Sequence, residues 1–135
     1  MRANLISRLV LALLFCFTGT MHFVDPATFI AVMPPYLPWH RELVLVSGFF
    51  EIAGGLGLLV PWVPLRRAAA IGLVLLLLAV FPANIEMAAR SEHFASLLHV
   101  PAWLFFVRLP LQILLIYWVI AATGCFTRRA RATPT

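Results

Sequence analysis

Lysine is absent from this 135-residue chain and acidic residues are scarce, five Asp and Glu standing against ten arginines. Only 11% of the residues are charged while 63% are hydrophobic, and the mean hydropathy is +1.00. A soluble domain of this size needs far more polar surface to cover its core, so that class is excluded. The formal net charge of +5 is not a nucleic-acid footprint. Its arginines are scattered or flank apolar runs, and no stripe of interleaved polar residues is available to follow a phosphate backbone. Cysteine is nearly missing too: Cys16 and Cys125 form no CxxC and match no Cys/His spacing of a zinc site. No metal is expected, and both cysteines read as small, buried, free thiols.

What the chain has in abundance is apolar sequence. Runs at 5–23, 43–61, 68–88 and 102–123 each approach the ~20 residues that cross a hydrocarbon layer. Four spans cannot close a barrel, so the expected fold is all-α, a polytopic bundle of four transmembrane helices in a single domain covering 1–135. Pro34, Pro35 and Pro38 interrupt the chain after the first span, Pro61 and Pro64 bracket the turn after the second, and Pro101 precedes the fourth. The first span follows Arg2 and Arg8 as a signal peptide would, but no small-x-small cleavage site comes after it, and it reads as a retained helix.

Arginine placement orients the bundle. Arg2, Arg8, Arg66, Arg67, Arg128, Arg129 and Arg131, the last three in a basic tail at 124–135, fall on one side; Arg41, Arg90 and Arg108 fall on the other. Both termini are therefore expected in the cytoplasm. All four histidines, His22, His40, His93 and His99, then lie on or near the extracytoplasmic side, together with Asp25, Glu42, Glu86 and Glu92.

Within the second run, LVLVSGFFEIAGGLGLLVP, Glu51 is the one charge. It follows Glu42 by nine residues, about 13 Å along a helix and close to midplane. An ionised group at that depth costs about 2.5–3.5 kcal/mol and should face the bundle and a partner. The fourth run supplies Arg108 and, about one turn deeper, Gln112. An ion pair between Glu51 and Arg108 with Gln112 hydrogen-bonded nearby is the simplest neutral arrangement. Arg8, Phe15 and His22 share one face of the first helix, which turns His22 into the outer half of the bundle. Pro82 frees the carbonyl of Leu78 just before Asn84 and Glu86, and Pro110 frees that of Phe106. Glu51, Arg108, Gln112, His22 and Asn84 are thus the candidate pocket. A structural reading stands beside it: the ion pair fixes helix register while Gly48, Gly54, Gly55 and Gly57 permit close packing.

The first loop contains Asp25–Pro26, an N-cap and first-turn signal. A short helix through Met33 would present Phe29, Ile30 and Met33 on one side, as a lid over an outer pocket or as a tied-down connector.

The segments GTMHFVDPATF, MPPYLP, SGFFEIAGGLGLLVP, AVFPANIEMA and RLPLQILLIYW, in that order over about residues 5 to 122, resemble the DoxX-like family of small bacterial membrane proteins. The resemblance implies a four-helix membrane bundle in the bacterial inner membrane, and it carries over Arg8, His22, Pro26, Glu51, Pro82, Asn84, Arg108 and Gln112. A few DoxX-like proteins are linked to redox work: a small subunit of a thiosulfate:quinone oxidoreductase, and a protein needed for maturing methylamine dehydrogenase. Relatives that act on disulfides would show paired cysteines, which this chain lacks, and that weakens the transfer of thiol chemistry.

Three functions follow from these residues. With short loops and no catalytic motif, the first is an accessory or assembly protein holding a partner, whether another membrane protein or a second copy, or a lipid-soluble ligand. The second is a quinone-linked redox subunit whose Glu51, Arg108 and His22 bind the head group, although no cofactor is evident in the sequence and it shows no redox centre of its own. The third is a small proton-coupled transporter, since intramembrane ionisable groups mark conduction paths, although no internal repeat is present.

Overall fold

The computed structural model describes residues 2–125, with side-chain surroundings from residue 4 onward; the arginines of the tail, Arg128, Arg129 and Arg131, lie outside them. Six helices follow one another, α1 (Arg2–Val24), α2 (Pro26–Ala31), α3 (His40–Gly57), α4 (Val63–Ala89), α5 (Ser91–Leu98) and α6 (Trp103–Thr123), and no strand occurs among the described residues.

Local chemistry sets the boundaries. Pro64 sits in the first turn of α4, where its missing N–H leaves nothing unpaired, so the helix starts at Val63 rather than at residue 68. The α3 helix absorbs His40, Arg41 and Glu42 into its first turn and closes at Gly57, with the Leu58 N–H donating to Gly54 and Gly55. Its start is set by Trp39, held in the left-handed region at φ 51°, a sharp turn that few non-glycine residues adopt. The α2 helix begins as expected: the Asp25 carboxylate accepts from the Thr28 N–H at 3.4 Å and from its hydroxyl at 2.6 Å. It ends at Ala31 rather than Met33. The α5 helix was not foreseen; its Ser91 and Phe94, spaced i, i+3, are buried against the bundle.

The four long helices pack as a ring, α1 on α3, α3 on α4, α4 on α6 and α6 back on α1. Leu11, Phe15, Leu58, Leu73 and Val119 form one buried cluster inside it. A second cluster of Met87, Ala88, Phe94 and Phe105 joins α4, α5 and α6, and Val32 packs against it. The two long connections therefore meet at one end of the bundle. At the other end Arg66 donates to the carbonyls of Val60 and Pro61 at 3.3 and 3.4 Å, closing the α3–α4 turn, with Arg8 and Arg67 near enough to act on it electrostatically.

The outer surface is apolar. Leu13, Phe17, Phe49, Leu75, Ile113 and Tyr117 are all more than half exposed, which water would not tolerate over so wide an area and hydrocarbon accepts. Three helices, Asn4–Val24, Val63–Ala89 and Trp103–Thr123, are long and apolar enough to cross a membrane. The protein is a membrane protein by that measure. The α3 helix has 18 residues and carries Arg41, Glu42 and Glu51, so length and composition alone do not place it with them.

Candidate functional site

Two kinds of helix contact build the site. Between α1 and α3 the backbones touch: a Cβ on Gly19 would lie 2.7 Å from the Gly48 carbonyl oxygen, and one on Gly48 would lie 2.6 Å from the His22 Cβ and 2.8 Å from the Gly19 oxygen. Small residues at such a crossing let dispersion and close polar contacts replace the hydrophobic effect that lipid cannot supply. The approach brings Glu51 to α1. Thr18 Oγ1 donates to Glu51 Oε2 at 2.7 Å, and His22 Nε2 stands 3.9 Å from Glu51 Oε1. The His22 Nδ1 lies 2.8 Å from the Thr18 carbonyl, and the imidazole stacks on Phe29 of α2 with ring centres 3.9 Å apart.

Between α4 and α6 a side-chain amide does the joining. Gln112, only 5% exposed, accepts from the Asn84 side-chain amide and donates to the carbonyl of Leu77. Pro82 lies in this stretch of α4, which continues through it as one helix. The captured carbonyl is that of Leu77, one residue from the expected Leu78.

The expected ion pair between Glu51 and Arg108 is not formed, and Gln112 does not serve it. The α6 helix adjoins α1 and α4, whereas α3 lies against α1, so the polar groups closest to Glu51 come from α1. Arg108 stands on the opposite wall, exposed along much of its side chain and without a hydrogen bond or ion pair among the described residues.

All five candidates nevertheless face one space. His22, Glu51, Asn84, Arg108 and Gln112 line a cavity of about 500 Å³ between α1, α2, α3, α4 and α6, a volume suited to a small organic ligand. Its other walls are apolar, Leu14, Phe15, Val44, Val80 and Leu111 among them, and Phe29, Val32 and Met33 close it from the α2 side. The short helix is therefore a wall of the cavity rather than a connector alone. Thr18 and Ser47 also line it and were not foreseen, yet each was legible as a hydroxyl residue one helical turn before a candidate, Thr18 before His22 and Ser47 before Glu51. His40 bonds instead to the Pro34 carbonyl at 3.1 Å, and His93 and His99 are exposed on and after α5. Both cysteines are free and partly buried, and Cys16 donates weakly to the Ile52 carbonyl. Among the described residues no group of three His, Cys, Asp or Glu side chains could hold a metal ion.

Chemically, the cavity offers a carboxylate beside an imidazole, a guanidinium without a partner among the described residues, and an amide, all set in apolar walls. The class so defined is an all-helical membrane bundle with a polar chamber inside it. More particularly, the chain belongs to a family described as a domain of unknown function (DUF8561), whose model matches residues 11–123. No curated protein and no solved structure matches it.

Proposed function

We propose that this is a small multi-pass protein of the DoxX-like type, in which α3 is a fourth span and which acts as an accessory or assembly protein by holding a lipid-soluble molecule in its polar chamber. The observation that carries this reading is the convergence of five polar residues from α1, α3, α4 and α6 on one cavity with otherwise apolar walls. Such a chamber accepts an amphiphile, with the head group among His22, Glu51, Asn84, Arg108 and Gln112 and the tail against leucine and valine. The bilayer supplies both the ligand and the solvent. The location is the bacterial inner membrane with both termini cytoplasmic, on the strength of the arginines that gather about Arg8 and Arg66.

A second reading has its own support. Arg108 is a donor on the cavity wall without a partner among the described residues, and a carbonyl oxygen is its natural complement. A quinone-linked redox subunit would use it so. Native mass spectrometry of protein extracted gently from its own membranes tests both. A bound small molecule that is lost in Glu51→Gln supports the chamber as a ligand site, and quinone-like mass favours the second reading. Bare protein ends the ligand reading.

A further inference from the structure

We infer that His22 and Glu51 are a proton-binding site on the cavity wall, one proton being held between the two side chains. The inference concerns the same chamber as the proposed function and therefore rests on that reading for its use, but its chemistry needs no bound ligand.

The argument begins at the Thr18 carbonyl. A carbonyl oxygen only accepts, so His22 Nδ1, at 2.8 Å from it, carries a hydrogen and donates. In a neutral ring the other nitrogen, Nε2, is then a bare acceptor. Glu51 Oε1 lies 3.9 Å from it, and an ionised carboxylate is also an acceptor only. Two acceptors set side by side in a chamber with apolar walls, with no hydrogen between them, are unfavourable. One proton resolves the conflict, either on Nε2 as an imidazolium facing a carboxylate or on Glu51 as a carboxylic acid.

The surroundings serve both forms. Thr18 Oγ1 has one hydrogen and three acceptors in reach, Glu51 Oε2 at 2.7 Å and the carbonyls of Leu14 and Phe15 at 3.1 and 3.3 Å. With Glu51 ionised, that hydrogen goes to Oε2. With Glu51 protonated at Oε1, the acid's hydrogen is on the oxygen nearer Nε2, and Oε2, now its carbonyl oxygen, still accepts from Thr18. The Phe29 ring stacked on His22 stabilises the charged imidazole. Among the described residues no other titratable group forms a hydrogen bond or ion pair with either side chain. Phe29, Val32 and Met33 line the chamber with the pair from α2 and its exit, Ser47 from α3, Asn84 from α4, and Gln112 and Arg108 from α6. Among the described residues Arg108 is the one further charge lining the chamber, and it forms no ion pair with Glu51, so the carboxylate finds its proton or counter-charge in His22.

The test uses the full chain in phospholipid nanodiscs, with ¹⁵N-labelled histidine and ¹³C-labelled glutamate side chains read by NMR as a function of pH. At neutral pH the expected result is either an imidazolium at His22 or a carboxylic acid at Glu51, one proton per chain, and a single loss step in which both signals move over the same pH range. Glu51→Gln should abolish that shared step, its amide N–H satisfying Nε2 without an added proton. A neutral His22 beside an ionised Glu51 at neutral pH overturns the inference, as do two independent steps. Should Glu51→Gln fail to fold, the unaltered chain still decides between these results. Protein that carries no small molecule yet shows the shared proton keeps this inference and loses the ligand reading; ligand-bearing protein with a bare pair does the reverse.

Discussion

The α1–α3 seam and the α4–α6 seam solve the same problem by opposite means. Lipid gives two apolar helices no reason to associate, so packing and polar contacts must do so. In the first seam Gly19 and Gly48 remove the side chains and the backbones meet, with Thr18 and His22 reaching Glu51 beside the contact. In the second, Asn84, Gln112 and the Leu77 carbonyl form a chain of hydrogen bonds between helices. One seam is steric and unforgiving, the other chemical and graded. Both leave their polar groups on the wall of one chamber, and it is this shared outcome, not either seam alone, that distinguishes the bundle from a merely packed one.

The seams should therefore break differently. Gly48→Leu is expected to do the most harm. Its Cβ already meets the His22 Cβ and the Gly19 carbonyl at under 3 Å, and a backbone atom cannot swing aside as a side-chain end can. Overpacking costs about 1–3 kcal/mol where side chains can yield, so this variant should lose more than that, seen as a collapse in monodisperse yield and thermal stability in detergent. Yield unchanged from the parent would mean that the two helices are not in contact there. Gln112→Leu should come next. It keeps approximate volume but strands the Asn84 amide and the Leu77 carbonyl, and measured interhelical bonds of this kind contribute about 0.6–1.7 kcal/mol. A thermal shift of that order, with folded protein recovered, would mark the second seam as the graded one.

How much of this was legible depended on whether the signal was local. The apolar runs, the Asp25–Pro26 start of α2 and the inward face of α1 through Phe15 and His22 could be read because each is set by a few neighbouring residues. The five polar residues could be named as lining a shared interior, since each is expensive in hydrocarbon wherever it sits. Their pairing could not be read. Depth arithmetic puts Glu51 and Arg108 within reach of each other, but depth fixes only one coordinate of a helix. The azimuth is set by the Gly19–Gly48 contact, a fact about two surfaces rather than one sequence, and it hands Glu51 to Thr18 and His22. The α5 helix was missed for a different reason: its eight residues are too few to stand out by periodicity and are held by Phe94 in a cluster with Met87 and Phe105.

Thr18→Val sharpens the comparison at the level of a single hydrogen. The β-branched shape is kept and the hydroxyl that donates to Glu51 Oε2 is removed. The seam itself should hold, because Gly19 and Gly48 still meet, and the expected loss is about 0.6 kcal/mol, measured as a small drop in melting temperature against the parent. A loss as large as that of Gly48→Leu would show that the polar trio, rather than the backbone contact, holds α1 to α3.

Gly72→Ala should have the smallest effect, and its sign is the informative part. Unlike Gly19 and Gly48, Gly72 has nothing within 4 Å of the position a Cβ would take, and it opens on a shallow apolar groove between α3 and α4 that also contains Gly54 and Gly57. If that face meets lipid alone, the added methyl touches only acyl chains and removes a flexible residue from a helix interior, a gain of roughly 0.5 kcal/mol. Gly48→Ala, measured beside it, should lose stability because its methyl has nowhere to go. A loss at Gly72 matching that at Gly48 would require another protein surface in the groove, as in a dimer of this chain. The same glycine would then belong to a third seam, one between molecules, and dilution in detergent would have to lower its stability as the partner leaves.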